Sequence, residues 1–126
     1  MMPWLAVAAG GALGALARYG SVRLLTAWLG PAFPYGTLAI NVIGSSVAGW
    51  LFVRLVESGG GTETLRALLI VGFLGAFTTF SAFSVETLRL FDAGHAGLAA
   101  FNVIANLVLC LCGAALGVGL ARAMGA

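Results

Sequence analysis

The chain has 126 residues, of which 61% are hydrophobic and only 8% are charged, and its mean hydropathy is +1.08. A soluble domain of this length covers its surface with polar side chains, so the composition excludes that class and predicts an integral membrane protein. The formal net charge of +2 comes from arginine without lysine and is too small and too scattered to indicate a nucleic-acid partner. A helix that spans the bilayer needs about 20 apolar residues, so this length allows at most about four or five spans.

Four apolar segments follow one another, at about residues 4–28, 37–56, 65–90 and 97–124. We therefore expect a single membrane domain over residues 1–126, all-α, with four transmembrane helices. The connection at residues 29–36 holds two prolines and two glycines, which is typical of a turn. The connection at residues 54–66 is the most polar part of the chain and includes three consecutive glycines, which make it flexible.

The first segment carries a pair of glycines and a charge. Gly10 and Gly14 have the spacing that lets a neighbouring helix approach closely. Arg18 lies farther along, where a charge in a spanning helix is costly and usually faces a cavity or a protein interface. The alternative is that its side chain extends to the lipid headgroups. We expect Arg23, nearer the end, to lie at the membrane interface.

The second segment carries an amide close to its start. Asn41 follows Thr37 by four residues, so both side chains point the same way on a helix. An amide in lipid must find partners. It can bond another helix and hold the two together, or it can donate to an anion, and the residues alone leave both open.

The third segment has an unusual density of hydroxyl side chains, in the stretch GFLGAFTTFSAFS at residues 72–84. Hydroxyls this close together compete for backbone hydrogen bonds and can interrupt a helix. In lipid, an interrupted helix is tolerated only where it is buried in protein or lines a wet cavity. We therefore predict that the third helix is broken near its middle, around Gly75 to Thr79, beside a permeation path. The hydroxyl residues are Thr78, Thr79, Ser81 and Ser84.

Two aromatic residues follow the predicted break. Phe80 and Phe83 share a helix face, which by default indicates core packing. The rim of an aromatic ring is electropositive, so two ring edges can also line a weak site for a small anion. A weak site suits a channel, because an ion held too tightly cannot leave. Glu86 can cap a helix, face a vestibule or pair with an arginine.

The fourth segment contains a second group of amides. Asn102 and Asn106 are four residues apart and stack along one face, as a polar track or as contacts between helices. Cys110 and Cys112 point in different directions on a helix, so they cannot pair with each other. We expect His95, in the turn before this segment, to be a solvated loop residue.

The arginines divide evenly between the two sides of the membrane. With four spans both termini lie on one side, and three arginines flank each side, so the positive-inside rule gives no preference. A balanced chain can insert in both orientations, and two oppositely inserted copies can form an antiparallel dimer. The terminal side has Arg54, Arg66 and Arg122, and the other side has Arg18, Arg23 and Arg89.

Three motifs resemble those of the dual-topology fluoride channels, the Fluc/CrcB family. They are GGALGALARY at residues 10–19, GTLAINVIG at residues 36–44 and GAFTTFSAFS at residues 75–84. The resemblance covers most of the chain in the right order and is weakest in the last segment. It implies an antiparallel homodimer with two pores in the inner membrane of a prokaryote, exporting cytoplasmic fluoride passively and lowering its toxicity.

The resemblance also implies roles for individual residues. Phe80 and Phe83 would line each pore, and Asn41 would donate its amide to fluoride. The backbone carbonyls of Gly75 and Thr78 would hold a structural sodium ion on the dimer axis, two from each copy. The expected vestibule or polar-track residues are Arg18, Thr37, Thr79, Ser81, Ser84, Glu86, Asn102 and Asn106.

The sequence departs from the family's pattern in two places. Ala82 stands where the family commonly has a hydroxyl residue, so one donor is missing. Asn102 and Asn106 stand where the family usually has a tyrosine and then a serine. An amide can donate where a hydroxyl did, so the polar track can survive.

The main alternative is a proton-coupled small-ion or drug transporter of dual topology. A small multidrug exporter needs a membrane-buried carboxylate in its first segment, and this chain has none there. A coupled fluoride exchanger needs a buried titratable group, for which only Glu86 is a candidate. A subunit with a purely structural role would not need so many polar residues within its spans. An enzyme is the least expected class, because the sequence has no nucleophile–base pair and no metal cluster.

Overall fold

The computed structural model describes residues 2–125. Helix α1 spans Met2–Leu29 and α2 spans Tyr35–Glu57. The third apolar segment, Glu63–Asp92, is divided into α3 over residues 63–77 and α4 over Phe80–Asp92, and α5 spans Ala96–Ala123. Residues 2–125 contain no β-strand, so the all-α prediction is confirmed.

The four hydrophobic segments are long enough to cross a bilayer. They contain 28, 23, 30 and 28 residues, and each is sufficiently apolar to span. At a rise of about 1.5 Å per residue, even the shortest exceeds a hydrocarbon core of about 30 Å. The prediction of four transmembrane helices is confirmed.

Glycines at helix contacts set how closely the helices pack. A Cβ atom on Gly10 would collide with the carbonyl oxygen of Leu68, and one on Gly14 with the carbonyl oxygen of Phe73. Helix α1 therefore packs directly against the backbone of α3. A Cβ on Gly117 would likewise collide with the carbonyl of Ser46, so α5 packs directly against α2. The small-residue spacings thus serve helix packing.

Polar contacts lie at the end of the bundle that carries the termini, where they link α2 to α5 and to α3. Arg122 and Glu57 form a salt bridge of 2.8 Å between α5 and α2. The Arg66 Nε donates to the carbonyl oxygen of Leu55 at 2.7 Å. The Thr62 side chain caps α3 by accepting from the amide of Leu65 at 3.2 Å.

The third helix is interrupted at two residues, which confirms the predicted break. Thr78 and Thr79 have extended backbones, with φ/ψ of −83°/159° and −152°/125°. Gly75 remains helical, so the break is narrower than the predicted span from Gly75 to Thr79. The Thr79 hydroxyl accepts from the amide of Ala82 at 3.1 Å and begins α4 as its N-cap.

Candidate functional site

The extended peptide of Thr79 pairs with one side chain of α2. The Thr79 amide donates to Asn41 Oδ1 at 2.8 Å, and Asn41 Nδ2 donates to the Thr79 carbonyl at 3.0 Å. Both residues are buried, with exposed fractions of 8% and 9%. Because a buried backbone group without a partner is costly, this pairing is what allows the helix to open there.

A chain of hydrogen bonds continues from Asn41 into α5 and α4. Asn41 Nδ2 also donates to Asn106 Oδ1 at 3.1 Å, and Asn106 Nδ2 donates to Asn102 Oδ1 at 3.0 Å. Asn102 Nδ2 donates to the Thr87 hydroxyl at 2.9 Å, and that hydroxyl donates to the Phe83 carbonyl at 2.7 Å. The expected stacking of Asn102 and Asn106 along one face is thus observed. Both side chains are buried, and Asn106 bonds α2 whereas Asn102 bonds α4.

Sequence reasoning missed Thr87, which completes this chain of bonds. Its only signal in the sequence is a hydroxyl four residues after Phe83, within reach of the preceding turn. Nothing in the sequence indicates that Asn102, fifteen positions away, would donate to it.

The break also leaves two backbone carbonyls without the amide donors that they would have in a continuous helix. In a continuous helix, the amide of Thr79 would donate to the carbonyl of Gly75, and that of Ala82 to the carbonyl of Thr78. Here Thr79 donates to Asn41 and Ala82 donates to the Thr79 hydroxyl. The two carbonyls are therefore available to other partners. One of them, that of Thr78, accepts a long hydrogen bond of 3.4 Å from Arg18 Nη1.

An open groove of about 500 Å³ lies on one side of the break. The rings of Phe80 and Phe83 line it, with centroids 5.2 Å apart and planes tilted by 55°. Phe83 is 7% exposed and Phe80 is 73% exposed, so the two rings have very different surroundings although they share a face. Asn41 and Asn106 supply polar groups along an otherwise largely apolar wall.

A second cavity, of about 640 Å³, lies on the other side of the break, and we call it the vestibule. It brings together Arg18, Thr37, Ser81 and Glu86, four of the residues singled out from the sequence. Thr79 lines both the groove and the vestibule, so the two cavities meet at the break.

Glu86 bonds a hydroxyl in the vestibule. Its Oε1 accepts from the Thr37 hydroxyl at 2.8 Å. Its Oε2 is inaccessible and has no hydrogen-bond partner among residues 2–125. Within that range no arginine forms a salt bridge with Glu86, and Thr79 is the cap of α4. Of the three alternatives for Glu86, the structure thus supports the one in which it faces a vestibule.

The hydroxyls near the break have different partners. The oxygens of Ser81 and Thr79 are 3.2 Å apart in the vestibule. Ser84 donates back to the carbonyl of Phe80 at 2.8 Å and lines neither the groove nor the vestibule. His95 is exposed in the turn before α5, as expected.

Comparison with known proteins relates this geometry to one family. Residues 5–118 match the family model described as "CrcB-like protein, Camphor Resistance (CrcB)". A relative from Magnetococcus marinus, named a fluoride-specific ion channel FluC, is 47% identical over 92% of this chain and 94% of its own length. Relatives with the same name from Coxiella burnetii and Novosphingobium aromaticivorans are 46% and 50% identical, over 86% and 92% of this chain and 89% and 93% of their own lengths.

Proposed function

This chain belongs to the CrcB-like family, and from that premise we propose that it is a fluoride-selective ion channel. It exports cytoplasmic fluoride passively and so lowers the toxicity of fluoride inside the cell. The relatives come from bacteria and the chain has four spanning helices, so it is a multi-pass membrane protein of a prokaryote. The proposed activity is permeation, which changes no covalent bond and is not an enzymatic reaction.

One observation in the structure supports this proposal above the others. The break places an amide donor, Asn41, beside the ring pair of Phe80 and Phe83 in one groove. Ring edges and amide hydrogens both carry partial positive charge without a fixed ionic charge. Such a wall attracts a small anion and still releases it, which conduction requires.

The shape of the groove supports assembly with a second copy. In a single chain the groove is open, and Phe80 and Gly75 are exposed at its edge. The carbonyl of Gly75, which the break frees, could not face lipid, because hydrocarbon offers no hydrogen-bond partner. We infer that an antiparallel second copy covers the groove. Arg18 is drawn in to the break, and the other five arginines divide nearly evenly, which supports opposite insertion of the two copies.

The vestibule supplies an entrance for anions to the same path. The Arg18 side chain is partly buried there and carries the positive charge that attracts an anion. Thr37 and Ser81 add hydroxyls on the same wall. Thr79 then separates this entrance from the groove, so an anion passes the break between the two cavities.

The proposed structural sodium ion fits the backbone at the break. The carbonyls of Gly75 and Thr78 lack the amide donors that they would have in a continuous helix. Carbonyl oxygens suit a hard cation. A carbonyl oxygen has two lone pairs, so the bond from Arg18 to Thr78 leaves one for a metal. Two carbonyls from each copy would surround one ion on the dimer axis.

The export of fluoride needs no coupling to the transport of another ion. Hydrogen fluoride is neutral and crosses membranes, then ionises in the cytoplasm and is trapped there as an anion. A membrane potential that is negative inside moves one elementary charge with about 2.3 kcal/mol per 100 mV. A passive anion path therefore lowers the internal fluoride concentration without any other energy source.

The second candidate is a proton-coupled transporter, which one observation favours. Glu86 is a carboxylate within a spanning segment, and its Oε2 has no partner among residues 2–125. A carboxylate in that position could exchange a proton with the vestibule. A coupled transporter would move fluoride in response to a pH gradient alone, whereas a channel responds to the electrical potential.

Fluoride efflux from liposomes that contain the purified protein tests the proposal. The liposomes are loaded with potassium fluoride, and a fluoride electrode follows release after addition of valinomycin. We expect rapid release that depends on valinomycin, and no chloride release from matched chloride-loaded vesicles. Release that needs a pH gradient and not the ionophore would instead identify the coupled transporter. No fluoride release from well-folded dimer would reject both functions for the homodimer.

A further inference from the structure

The hydrogen bonds that start at the break have a determined direction. The amide of Thr79 can only donate, so its partner on Asn41 must be the oxygen, and Asn41 Nδ2 must donate. Its two hydrogens go to the Thr79 carbonyl and to Asn106 Oδ1. The nitrogen of Asn106 then donates to the carbonyl and the Oδ1 of Asn102. One backbone amide thus orients three side-chain amides in turn.

This arrangement leaves Asn41 without a free hydrogen for an anion. Both hydrogens of Nδ2 already have acceptors, at 3.0 Å on Thr79 and 3.1 Å on Asn106. The bond to Thr79 belongs to the pairing that maintains the break. The bond to Asn106 joins two side chains that both line the groove. A fluoride ion that takes a hydrogen from Asn41 therefore displaces Asn106 Oδ1 and leaves the break intact.

We propose that Asn106 is a positioning residue that acts through Asn41, and that its Oδ1 holds the amide hydrogen that fluoride takes. Asn106 offers fluoride no hydrogen of its own, because both of its amide hydrogens go to Asn102. Asn102, which lines neither cavity, keeps Asn106 turned with its oxygen toward Asn41. This inference rests on the proposed function in that fluoride is the displacing anion.

The exchange has a consequence for the affinity of the site. When fluoride is absent, Asn41 is satisfied by Asn106, so no buried donor is left unpaired. When fluoride binds, one hydrogen bond replaces another, and the gain is only the difference between them. A small difference keeps fluoride weakly bound and mobile. Removal of the Asn106 acceptor should therefore make the site bind fluoride more tightly and conduct more slowly.

The test measures single-channel conductance as a function of fluoride concentration for Asn106→Leu. We expect the half-saturating fluoride concentration to fall by about tenfold and the maximal conductance to fall with it. Asn106→Ala, which also lacks an acceptor but is smaller and cannot overpack the site, should shift both quantities in the same direction and guards against misfolding of the leucine variant. Ser46→Ala is the matched control, because Ser46 contacts α5 at Gly113 and its hydroxyl bonds within α2.

A merely structural role would lower the conductance without lowering the half-saturating concentration. An unchanged or higher half-saturating concentration in folded Asn106→Leu and Asn106→Ala dimers would thus overturn the proposal. Hydrogen–deuterium exchange of the peptide at residues 75–84 gives a readout that does not need transport. In fluoride-free buffer, the amide of Thr79 should exchange about tenfold faster in Asn106→Leu than in the wild type or Ser46→Ala, because leucine, unlike fluoride, gives the Asn41 hydrogen no acceptor in place of Asn106 Oδ1.

The two readouts separate the inference from the proposed function. If the wild type conducts no fluoride, the proposed function fails and fluoride cannot be the displacing anion. Hydrogen exchange at the Thr79 amide then decides whether Asn106 positions Asn41. Equal exchange rates in the wild type and both Asn106 variants would reject this positioning role as well.

Discussion

Asn41 and Thr79 exchange two hydrogen bonds across 38 positions of sequence, at 2.8 and 3.0 Å. One side-chain amide thereby satisfies both polar groups of an extended residue inside a membrane protein. The relationship explains how the third helix can open beside the groove, and several predictions depend on it.

Replacement of Asn41 by leucine should destabilise the fold at the break. Asn41→Leu keeps a similar volume but leaves the amide and the carbonyl of Thr79 without these partners. Each unsatisfied buried group costs about 1–3 kcal/mol, so we expect a loss of roughly 2–6 kcal/mol and no fluoride flux. Thermal unfolding in detergent measures the loss, with Ser46→Ala as control. Unchanged unfolding would mean that the pairing contributes little to the fold.

Loss of either aromatic ring at the groove should remove fluoride flux. We expect Phe80→Ile or Phe83→Ile to reduce efflux sharply while the dimer still forms, because the electropositive ring edge is lost. Phe91→Ile is a matched control, because Phe91 lies on the same helix, is 62% exposed and lines neither the groove nor the vestibule. Normal flux in both ring variants would exclude the ring-lined pore.

The charge of Glu86 separates a channel from a coupled transporter. Glu86→Gln retains an oxygen for the Thr37 hydroxyl and removes a negative charge from the vestibule. For a channel we expect faster fluoride flux, by up to about fivefold. The negative charge of Glu86 repels fluoride, and two like charges near solvent repel each other by about 1 kcal/mol. The effect should shrink at high salt, as screening predicts. Loss of flux that a pH gradient drives in the wild type would instead support coupling through this carboxylate.

Sodium should stabilise the assembly. Replacement of sodium by N-methylglucamine at constant ionic strength should lower the unfolding temperature of the dimer and increase the monomer fraction. An ion present at about 100 times its dissociation constant stabilises the bound form by about 2.7 kcal/mol. Unfolding and size-exclusion profiles that are the same with and without sodium would argue against the site at Gly75 and Thr78.

The contact between α1 and α3 should be destabilised by a methyl group at Gly14 but not by one at Gly11. A Cβ on Gly14 would collide with the carbonyl oxygen of Phe73, whereas a Cβ on the neighbouring Gly11 has nothing within 4 Å in the single chain. We expect Gly14→Ala to cost about 1–3 kcal/mol in unfolding free energy, and Gly11→Ala to cost much less. Equal stability of the two variants would mean that the helices can separate to accept the methyl group.

Much of the fold follows from local patterns in the sequence. The lengths of four apolar segments predicted the spans, because crossing a bilayer sets a minimum helix length. The dense hydroxyls predicted the break, and the structure places it at Thr78 and Thr79. The spacing of Asn102 and Asn106 predicted their shared face, because residues four apart are neighbours on any helix. The pore, sodium and dimer roles assigned through the family resemblance stay predictions.

Only the tertiary structure decided which distant groups meet. The partner of Asn41 is a backbone amide on the third helix, and that of Glu86 is Thr37, 49 positions away. Phe80 and Phe83 share a face, yet one is exposed and the other buried. Helical periodicity determines which residues lie together on one helix, but the rotation of each helix about its axis depends on all of its contacts at once. Close packing at Gly10, Gly14 and Gly117 sets how the helices approach one another, and that approach decides which of these groups come within hydrogen-bond distance.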